Sequence, residues 1–196
     1  MRKINEIFYS LQGEGHHTGT PSVFVRFSGC NLSCDFCDTN HNDGIMMSDE
    51  DIIAAIMEYK DAPMVVITGG EPSLFIDYEL IEKLKNETHK YIAIETNGTS
   101  RLPSNIDWIT LSPKQGFRGG NKFPVILTEC NELKVVYNGQ ELEPYFTIKA
   151  EHYYLQPCSK GDPEYDNRNT IYTINAVLKD TRWKLSLQTH KLLNIR

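Results

Sequence analysis

Apolar and polar residues alternate along the chain in a pattern that predicts a largely parallel α/β fold. Short β-branched runs indicate strands, the first at residues 23–27 and the next at residues 64–68. Between these runs, Ser48 provides an N-cap, and isoleucines at helical spacing predict a helix that continues to about Lys60. A second helix is expected at residues 77–85. Strands and helices in this order are typical of βαβ units.

Further strands are predicted at residues 91–96, 108–111, 133–136, 153–155 and 184–187, and a late helix at residues 171–179. Residues 114–128 are rich in Gly and Pro and show no helical period, which predicts a loop. In parallel α/β folds, ligands bind at the carboxyl ends of the strands. We therefore expect the unusual residues that follow the strands to lie on one rim.

Composition and charge narrow the class of protein. The chain has 196 residues, of which 40% are hydrophobic and 23% charged, so we expect one domain over residues 1–196. No apolar run has the length of a membrane span, and the N-terminus lacks the apolar core of a secretion signal. These features predict a cytoplasmic protein without membrane contact. A net charge of −6 disfavours nucleic acid and favours a small-molecule partner.

Three of the five cysteines form the most informative motif. Cys30, Cys34 and Cys37 have C-x3-C-x2-C spacing directly after the first predicted strand. In a reducing compartment this grouping indicates metal ligands rather than disulfides. Three thiolates can hold three irons of a 4Fe-4S cluster and leave the fourth iron open. The alternative is a zinc site, which usually takes four ligands and which Cys130 or Cys158 could complete.

This loop resembles the cluster loop of the radical S-adenosylmethionine (SAM) superfamily. The sequence Gly69-Gly70-Glu71-Pro72 adds to the resemblance, since glycines let a backbone approach a ligand and a carboxylate can pair with an ammonium group. An ordinary glycine turn is the alternative. The resemblance implies an α/β fold, specifically a partial β/α barrel with fewer helices than strands. It also implies a 4Fe-4S cluster, SAM and an electron donor such as flavodoxin or ferredoxin.

A second segment resembles one family within that superfamily. Residues 8–15 read Phe-Tyr-Ser-Leu-Gln-Gly-Glu-Gly and precede Arg26, as in the 7-carboxy-7-deazaguanine synthase family. The match continues through Cys37-Asp38-Thr39, Glu95-Thr96-Asn97-Gly98, Ser112-Pro113-Lys114 and Leu187-Gln188-Thr189-His190-Lys191. The resemblance implies a homodimeric carbon-nitrogen lyase that contracts the ring of 6-carboxy-5,6,7,8-tetrahydropterin with loss of ammonia. The product, 7-carboxy-7-deazaguanine, belongs to 7-deazapurine and queuosine biosynthesis.

The resemblance also implies roles for individual residues. Substrate is expected at Leu11, Gln12, Gly13, Glu14, Arg26, Thr96 and Arg196, the last through its terminal carboxylate. SAM is expected at Phe36, Cys37, Asp38, Gly69, Gly70, Glu71, Gly98, Ser112, Pro113, Lys114, Gln156, Pro157, Cys158 and Ser159. The metal ligands are expected to be Cys30, Cys34 and Cys37 for the cluster and the Thr39 hydroxyl for Mg²⁺. No catalytic side chain is expected beyond the cluster and SAM.

The chemistry of these residues is compatible with such roles. Gln12 can read the edge of a pterin, Glu14 can accept its ring N–H groups, and the planar fork of Arg26 can bind a carboxylate. The alternatives are a polar turn for Gln12 and Glu14 and a solvent-facing strand residue for Arg26. Thr39 is otherwise an N-cap or turn residue. His190 is either an acid-base group or a structural residue.

Two other functions stay open at this point. Another radical SAM enzyme, such as a glycyl-radical activase, would keep the cysteine loop but would not need residues 11–14 or Arg26. A non-enzymatic iron-sulfur or zinc module would normally supply every metal ligand from its own side chains. The cysteines therefore predict the class of chemistry, whereas residues 11–14 and Arg26 decide the substrate.

Overall fold

The computed structural model describes residues 1–37 and 39–196. The strands are β1 Arg2–Leu11, β2 Pro21–Phe27, β3 Ile45–Met47, β4 Met64–Gly69, β5 Tyr91–Thr96, β6 Trp108–Leu111, β7 Glu129–Tyr137, β8 Lys149–Pro157 and β9 Lys184–Leu185. The helices are α1 Asp49–Met57, α2 Tyr78–Thr88, α3 Pro163–Lys179 and α4 Thr189–Leu193. Short 3₁₀ turns lie at Pro72–Leu74 and Glu143–Thr147.

All of these strands belong to one nine-stranded sheet, in the order β3-β1-β2-β4-β5-β6-β7-β8-β9. From β2 onward each neighbouring pair is parallel, and the β3-β1-β2 edge is antiparallel. β3 and β9 are the two edges, so the sheet is open. Four helices accompany these strands within the described residues. The predicted fold class, an α/β partial barrel with fewer helices than strands, is confirmed.

Most predicted elements are confirmed, with changed bounds. β5 and β6 coincide with their predicted ranges, and residues 114–128, all described, form a loop. α1 starts as expected at Ser48, whose side chain and that of Asp51 form a capping box, but it ends at Met57 rather than near Lys60. α3 starts earlier than predicted because Asp162 caps its first amide groups.

The prediction that residues 23–27 form the first strand is wrong, because β1 precedes them. β1 pairs antiparallel with β2, and the rings of Phe8 and Phe24 stack at 4.9 Å between centroids. Within β1, Ile4 and Phe8 are buried and the three residues between them are half-buried. This mixed pattern concealed the strand.

The strands separate an apolar face from a polar interior because their side chains alternate between faces. Val25 on β2 and Ile67 on β4 join an apolar cluster with helices α1 and α2. The next residues along, Arg26 and Thr68, point to the opposite side and line a cavity. The same alternation places one face of each central strand inside the barrel. No helix in the described part of the chain combines the length and hydrophobicity needed to cross a membrane.

Candidate functional site

A cavity of about 490 Å³ lies at the carboxyl ends of the parallel strands. The predicted site residues that line it are Leu11, Gln12, Gly13, Glu14, Arg26, Cys30, Cys34, Phe36, Cys37, Thr39, Gly69, Gly70, Glu71, Thr96, Ser112, Lys114, Gln156, Pro157, Ser159 and Arg196. The structure thus places two predicted sites on the same cavity. They are the cysteine loop, predicted to hold the cluster, and residues 11–14, predicted to bind substrate.

Three predicted SAM residues are not among those that line the cavity. Cys158 is buried in a small apolar cluster with Phe117, and Pro113 is also buried. Gly98 turns the chain at a φ of 77°, and a side chain there would meet Leu111. Asp38, also predicted to bind SAM, lies outside the described residues.

The cysteine loop follows β2 and borders the cavity. Cys30, Cys34 and Cys37 are free thiols, and burial raises the pKa of Cys30 and Cys34. A Cβ on Gly70 would lie 2.1 Å from the Gly29 carbonyl oxygen and 3.0 Å from the Cys30 Cβ, so glycine is needed there for close packing. Among the described residues, no three His, Cys, Asp or Glu side chains gather as a single metal ion requires. Three thiols around an open cavity fit a cluster with one free iron.

A buried ion-pair network forms the floor of the cavity. The Lys134 amino group donates to Glu14 at 2.5 Å and to Glu95 at 3.3 Å, and the Lys134 side chain is 4% exposed. Burial would lower the pKa of Lys134, but the charges of Glu14, Glu95 and Glu132 outweigh burial and raise it. The lysine therefore stays charged and neutralises the acidic residues around it.

Glu14 is ionised in this network. Burial alone would raise the pKa of its carboxyl, but the charge of Lys134 and hydrogen bonds from Lys134 and Gln188 lower it to about 2. Gln188 donates to the second carboxylate oxygen at 2.8 Å. The Glu14 carboxylate is thus a hydrogen-bond acceptor in a fixed position, which suits it to accept hydrogen bonds from ring N–H groups of a ligand.

The amide of Gln12 is oriented by the same network. Its Nε2 donates to Glu95 at 3.2 Å, and its Oε1 accepts the backbone N–H of Glu14. Thr68 Oγ1 also donates to Glu95, at 3.3 Å. The Gln12 side chain, which is 8% exposed, is therefore held in one orientation at the cavity wall.

Glu71 is buried and fully engaged with the protein. Its carboxylate accepts the Thr96 hydroxyl at 2.6 Å and the backbone N–H groups of Ser73 and Asn97 at 3.1 and 2.7 Å. The Thr96 hydroxyl in turn accepts the Gly98 N–H at 3.1 Å. Glu71 therefore fixes the turns after β4 and β5 at the cavity rim.

Lys114 lies on the cavity wall near the cysteine loop. Its amino group donates to Ser112 Oγ at 2.6 Å. Burial and the charge of Lys134 lower the pKa of Lys114, while Cys34, Glu14 and Glu95 raise it by smaller amounts. The chain thereby places an amino group between the thiols and the acidic floor.

A second set of charges lies on β1 and β2. Arg26 Nε donates to Glu6 Oε1 at 2.8 Å, and Arg26 Nη1 lies 3.5 Å from the Thr39 hydroxyl. Arg196 donates to the other oxygen of Glu6. The backbone oxygen of Arg196 accepts from the Ser10 hydroxyl instead of facing the cavity.

Residues after β9 close the side of the cavity opposite β2. Thr189 donates through its backbone N–H and its hydroxyl to the Gly13 carbonyl, both at 2.9 Å. The Ser186 hydroxyl accepts the Gly15 N–H and donates to Gln156. A Cβ on Gly13 would lie 2.1 Å from His190 Nδ1. The segment predicted to bind substrate is therefore held in place by residues from the other end of the sequence.

Sequence reasoning missed Lys134, Glu95, Gln188 and Glu6 as site residues. Lys134 carries a recognisable signal, since it is the one charged residue in the apolar run of residues 133–136. Glu95 likewise interrupts an apolar strand. Gln188 and Glu6 carry no such signal, because each becomes significant only through partners distant in sequence.

Several known proteins are similar to this chain in sequence or in fold. The family model for the radical SAM superfamily matches residues 24–116. A 7-carboxy-7-deazaguanine synthase of Bacteroides thetaiotaomicron is 56% identical over 196 residues, covering 100% of both chains. The one of Haemophilus influenzae is 40% identical and covers 98% of this chain and 93% of its own. The crystal structure of QueE from Escherichia coli matches with a TM-score of 0.75 and 30% identity, covering 95% of this chain and 93% of that one.

Proposed function

Because the chain belongs to the 7-carboxy-7-deazaguanine synthase family of radical SAM enzymes, we propose that it converts 6-carboxy-5,6,7,8-tetrahydropterin to 7-carboxy-7-deazaguanine. The reaction is a ring contraction with loss of ammonia, and the enzyme is a carbon-nitrogen lyase. The observation that carries the proposal is one cavity lined by the cysteine loop, by Gln12 and Glu14, and by Arg26. The residues proposed to hold the cluster and those proposed to bind a carboxylated pterin thus line the same cavity.

Cys30, Cys34 and Cys37 would hold the 4Fe-4S cluster. With SAM bound, such a cluster would supply the radical chemistry of the reaction. The protein binds and orients the reactants. Gly69 and Gly70 let the end of β4 pack closely against the backbone of Phe27 and Gly29 at the cavity rim. Ser112, Lys114, Gln156 and Ser159 are the cavity residues proposed for SAM.

The pterin would bind on the opposite side of the cavity. Glu14, kept ionised by Lys134, accepts ring N–H groups, and the amide of Gln12 is held in place by Glu95. Arg26 pairs with the substrate carboxylate, because a guanidinium offers two parallel donors. The cavity volume of about 490 Å³ lies in the usual range for sites of small molecules and cofactors.

We also propose that Mg²⁺ binds at the Thr39 hydroxyl. Magnesium keeps several waters and needs few protein ligands, so one hydroxyl together with an oxygen of the substrate is sufficient. The hydroxyl lies 3.5 Å from Arg26 Nη1, next to the proposed carboxylate site. Activity should therefore fall when EDTA removes divalent ions and return on addition of Mg²⁺. An unchanged rate in EDTA would argue against this ion.

The remaining partners are inferred from the family. We propose a single-domain homodimer in the cytoplasm, reduced by flavodoxin or ferredoxin, without nucleic acid or membrane partners. Five free cysteines support a reducing compartment. Exposed apolar side chains on α3, Ile171, Tyr172 and Leu178, offer a surface for a second copy. Sedimentation equilibrium measures the oligomeric state directly.

The central experiment is anaerobic incubation of the iron-loaded enzyme with dithionite, SAM, Mg²⁺ and the carboxytetrahydropterin, followed by mass spectrometry. We expect 7-carboxy-7-deazaguanine, 5′-deoxyadenosine and ammonia. An intact cluster that cleaves SAM without making the deazaguanine would instead favour a different radical SAM reaction. A preparation with zinc and no iron would favour a metal-binding module.

A further inference from the structure

One carboxylate on β1 binds two guanidinium groups at the cavity wall. Glu6 Oε1 accepts from Arg26 Nε at 2.8 Å, and Glu6 Oε2 accepts from Arg196 Nη2. Both guanidinium groups also lie over the same ring, with Arg26 Cζ 5.9 Å and Arg196 Cζ 4.9 Å from the Phe8 centroid. The two cations are therefore neighbours, and all four residues line the cavity.

The backbone brings the Arg196 side chain to this position. α4 ends at Asn194, which turns the chain in the left-handed region at a φ of 54°, and the Ile195 N–H donates to the His190 carbonyl. The Ser10 hydroxyl then holds the backbone oxygen of Arg196 against β1. The guanidinium, and not this oxygen, consequently faces the charged wall of the cavity.

The donors at this wall are only partly used. The Glu6 carboxylate accepts from one nitrogen of each of the two guanidinium groups. Arg26 has only its Nε on Glu6, and its Nη1 lies toward the Thr39 hydroxyl. A guanidinium has five N–H donors, so both arginines retain donors for a second carboxylate. Phe8 covers one side of the pair, which leaves the cavity side for a ligand.

We propose that Arg26 and the side chain of Arg196 form a two-arginine clamp for the carboxylate of the substrate, with Glu6 as the positioning residue that holds both arginines. The inference rests on the proposed function, because it assumes a carboxylated pterin. It adds the Arg196 guanidinium to the terminal carboxylate that the family resemblance implies for this residue. The substrate carboxylate would accept from the N–H donors that Glu6 leaves unused.

The test compares two unreactive ligands, 6-carboxypterin and pterin, on the cluster-loaded enzyme with SAM, by quenching of ligand fluorescence. Wild type should prefer 6-carboxypterin. Arg196→Ala should lose about tenfold of that preference, ~1.4 kcal/mol, while its affinity for pterin stays the same. Arg182→Ala, at an exposed arginine paired with Asp180, is the matched control and should keep the full preference.

A variant with one glycine added after Arg196 distinguishes the role of the Arg196 guanidinium from that of its terminal carboxylate. It keeps the guanidinium and moves the terminal carboxylate, so the clamp predicts an unchanged preference for 6-carboxypterin. If Arg196→Ala keeps the preference while the extended chain loses affinity for pterin and 6-carboxypterin alike, Arg196 contacts the pterin ring through its terminal carboxylate and the clamp is refuted. Equal SAM cleavage and equal melting temperatures show that the variants are folded.

Failure of the clamp and failure of the proposed function give different results. If wild type shows no preference for 6-carboxypterin and makes no deazaguanine, both fail together. If wild type makes the product and prefers 6-carboxypterin while Arg196→Ala behaves as wild type, the clamp alone fails. If Arg26→Ala and Arg196→Ala each retain the preference for 6-carboxypterin, neither arginine binds the substrate carboxylate.

Discussion

Lys134 and Glu14, which are 120 positions apart in the sequence, form a hydrogen bond of 2.5 Å inside the barrel. Both side chains are at most 14% exposed, so the pair lies in a medium where an unpaired charge is costly. The pair connects the segment after β1 to the buried part of strand β7. The ligand-reading segment is therefore fixed to the sheet rather than left as a free loop.

Replacing Lys134 by Met should damage binding and stability together. Glu14 and Glu95 lose their buried counter-ion, and removing one partner of a buried pair costs about 3–5 kcal/mol. We expect KM for the pterin to rise at least tenfold and the urea midpoint to fall. The double variant Lys134→Met with Glu14→Gln should regain part of the stability but not the affinity. Wild-type KM in Lys134→Met would contradict this role.

Because Glu14 is ionised in the folded protein, the free energy of unfolding should fall at acidic pH. Its pKa of about 2 in the folded protein lies below the ordinary value of 4.5, so folding is favoured above pH 4.5. That contribution, on the order of 3 kcal/mol at about 1.36 kcal/mol per unit of pKa, is lost as the pH falls from 4.5 toward 2. Urea unfolding across this range should show a steeper loss for wild type than for Glu14→Gln. Parallel curves would mean that Glu14 is not the titrating group.

Substitutions in the cysteine loop and at Arg26 should impair different activities. Cys34→Ala removes a proposed cluster ligand, so both SAM cleavage and product formation should disappear. Arg26→Ala leaves the cluster loop intact, so uncoupled SAM cleavage should persist while KM for the pterin rises about 10- to 100-fold, as expected for a charge-assisted hydrogen bond. Quantifying 5′-deoxyadenosine and deazaguanine in the same reactions distinguishes the two. Identical behaviour would remove Arg26 from the substrate site.

Gly13 tests the contact between the segment after β1 and α4. An alanine there would place its Cβ 2.1 Å from His190 Nδ1, so α4 must move away. We expect a loss of about 1–3 kcal/mol in stability and a higher KM. Gly139→Ala is the control, because its φ of 100° strains an alanine but no atom lies within 4 Å. It should lower stability while leaving KM unchanged, and a similar KM change in both variants would show a nonspecific effect.

Lys90 stabilises the fold far from the cavity. Its amino group donates to the carbonyls of Tyr59, Lys60 and Ala62 at 3.0, 3.0 and 2.6 Å. Lys90→Met leaves these carbonyls without their donor and should lower the free energy of unfolding by roughly 3 kcal/mol. Lys60→Met, at an exposed position, should have little effect. Calorimetry measures both, and kcat at 25 °C should stay at the wild-type value.

The parallel part of the sheet could be predicted because its strands carry continuous apolar runs. Residues 64–68 and 91–96 are buried on both faces near their starts, so β-branched residues dominate them. β1 could not be predicted in this way, since Asn5 and Glu6 interrupt its apolar residues and only Ile4 and Phe8 are buried. A strand with so few buried positions has too weak a pattern to stand out.

The candidate site was predicted unevenly for a physical reason. Cys30, Cys34 and Cys37 are close in sequence, so their spacing alone indicates shared chemistry. Lys134 acquires its role only through Glu14 and Glu95, which lie on other elements. Spacing cannot reveal an ion pair that the barrel creates by bringing distant strands together. Those cross-barrel pairs decide how a ligand is oriented.

The hydrogen bonds of Gly13 and Gly15 to Thr189 and Ser186 bear on how the protein is made. During translation the cysteine loop and the first parallel strands leave the ribosome long before residues 186–189. The nascent protein therefore presents its cysteine loop first, and the ligand-reading segment is held in place only after residues 186–189 have been made.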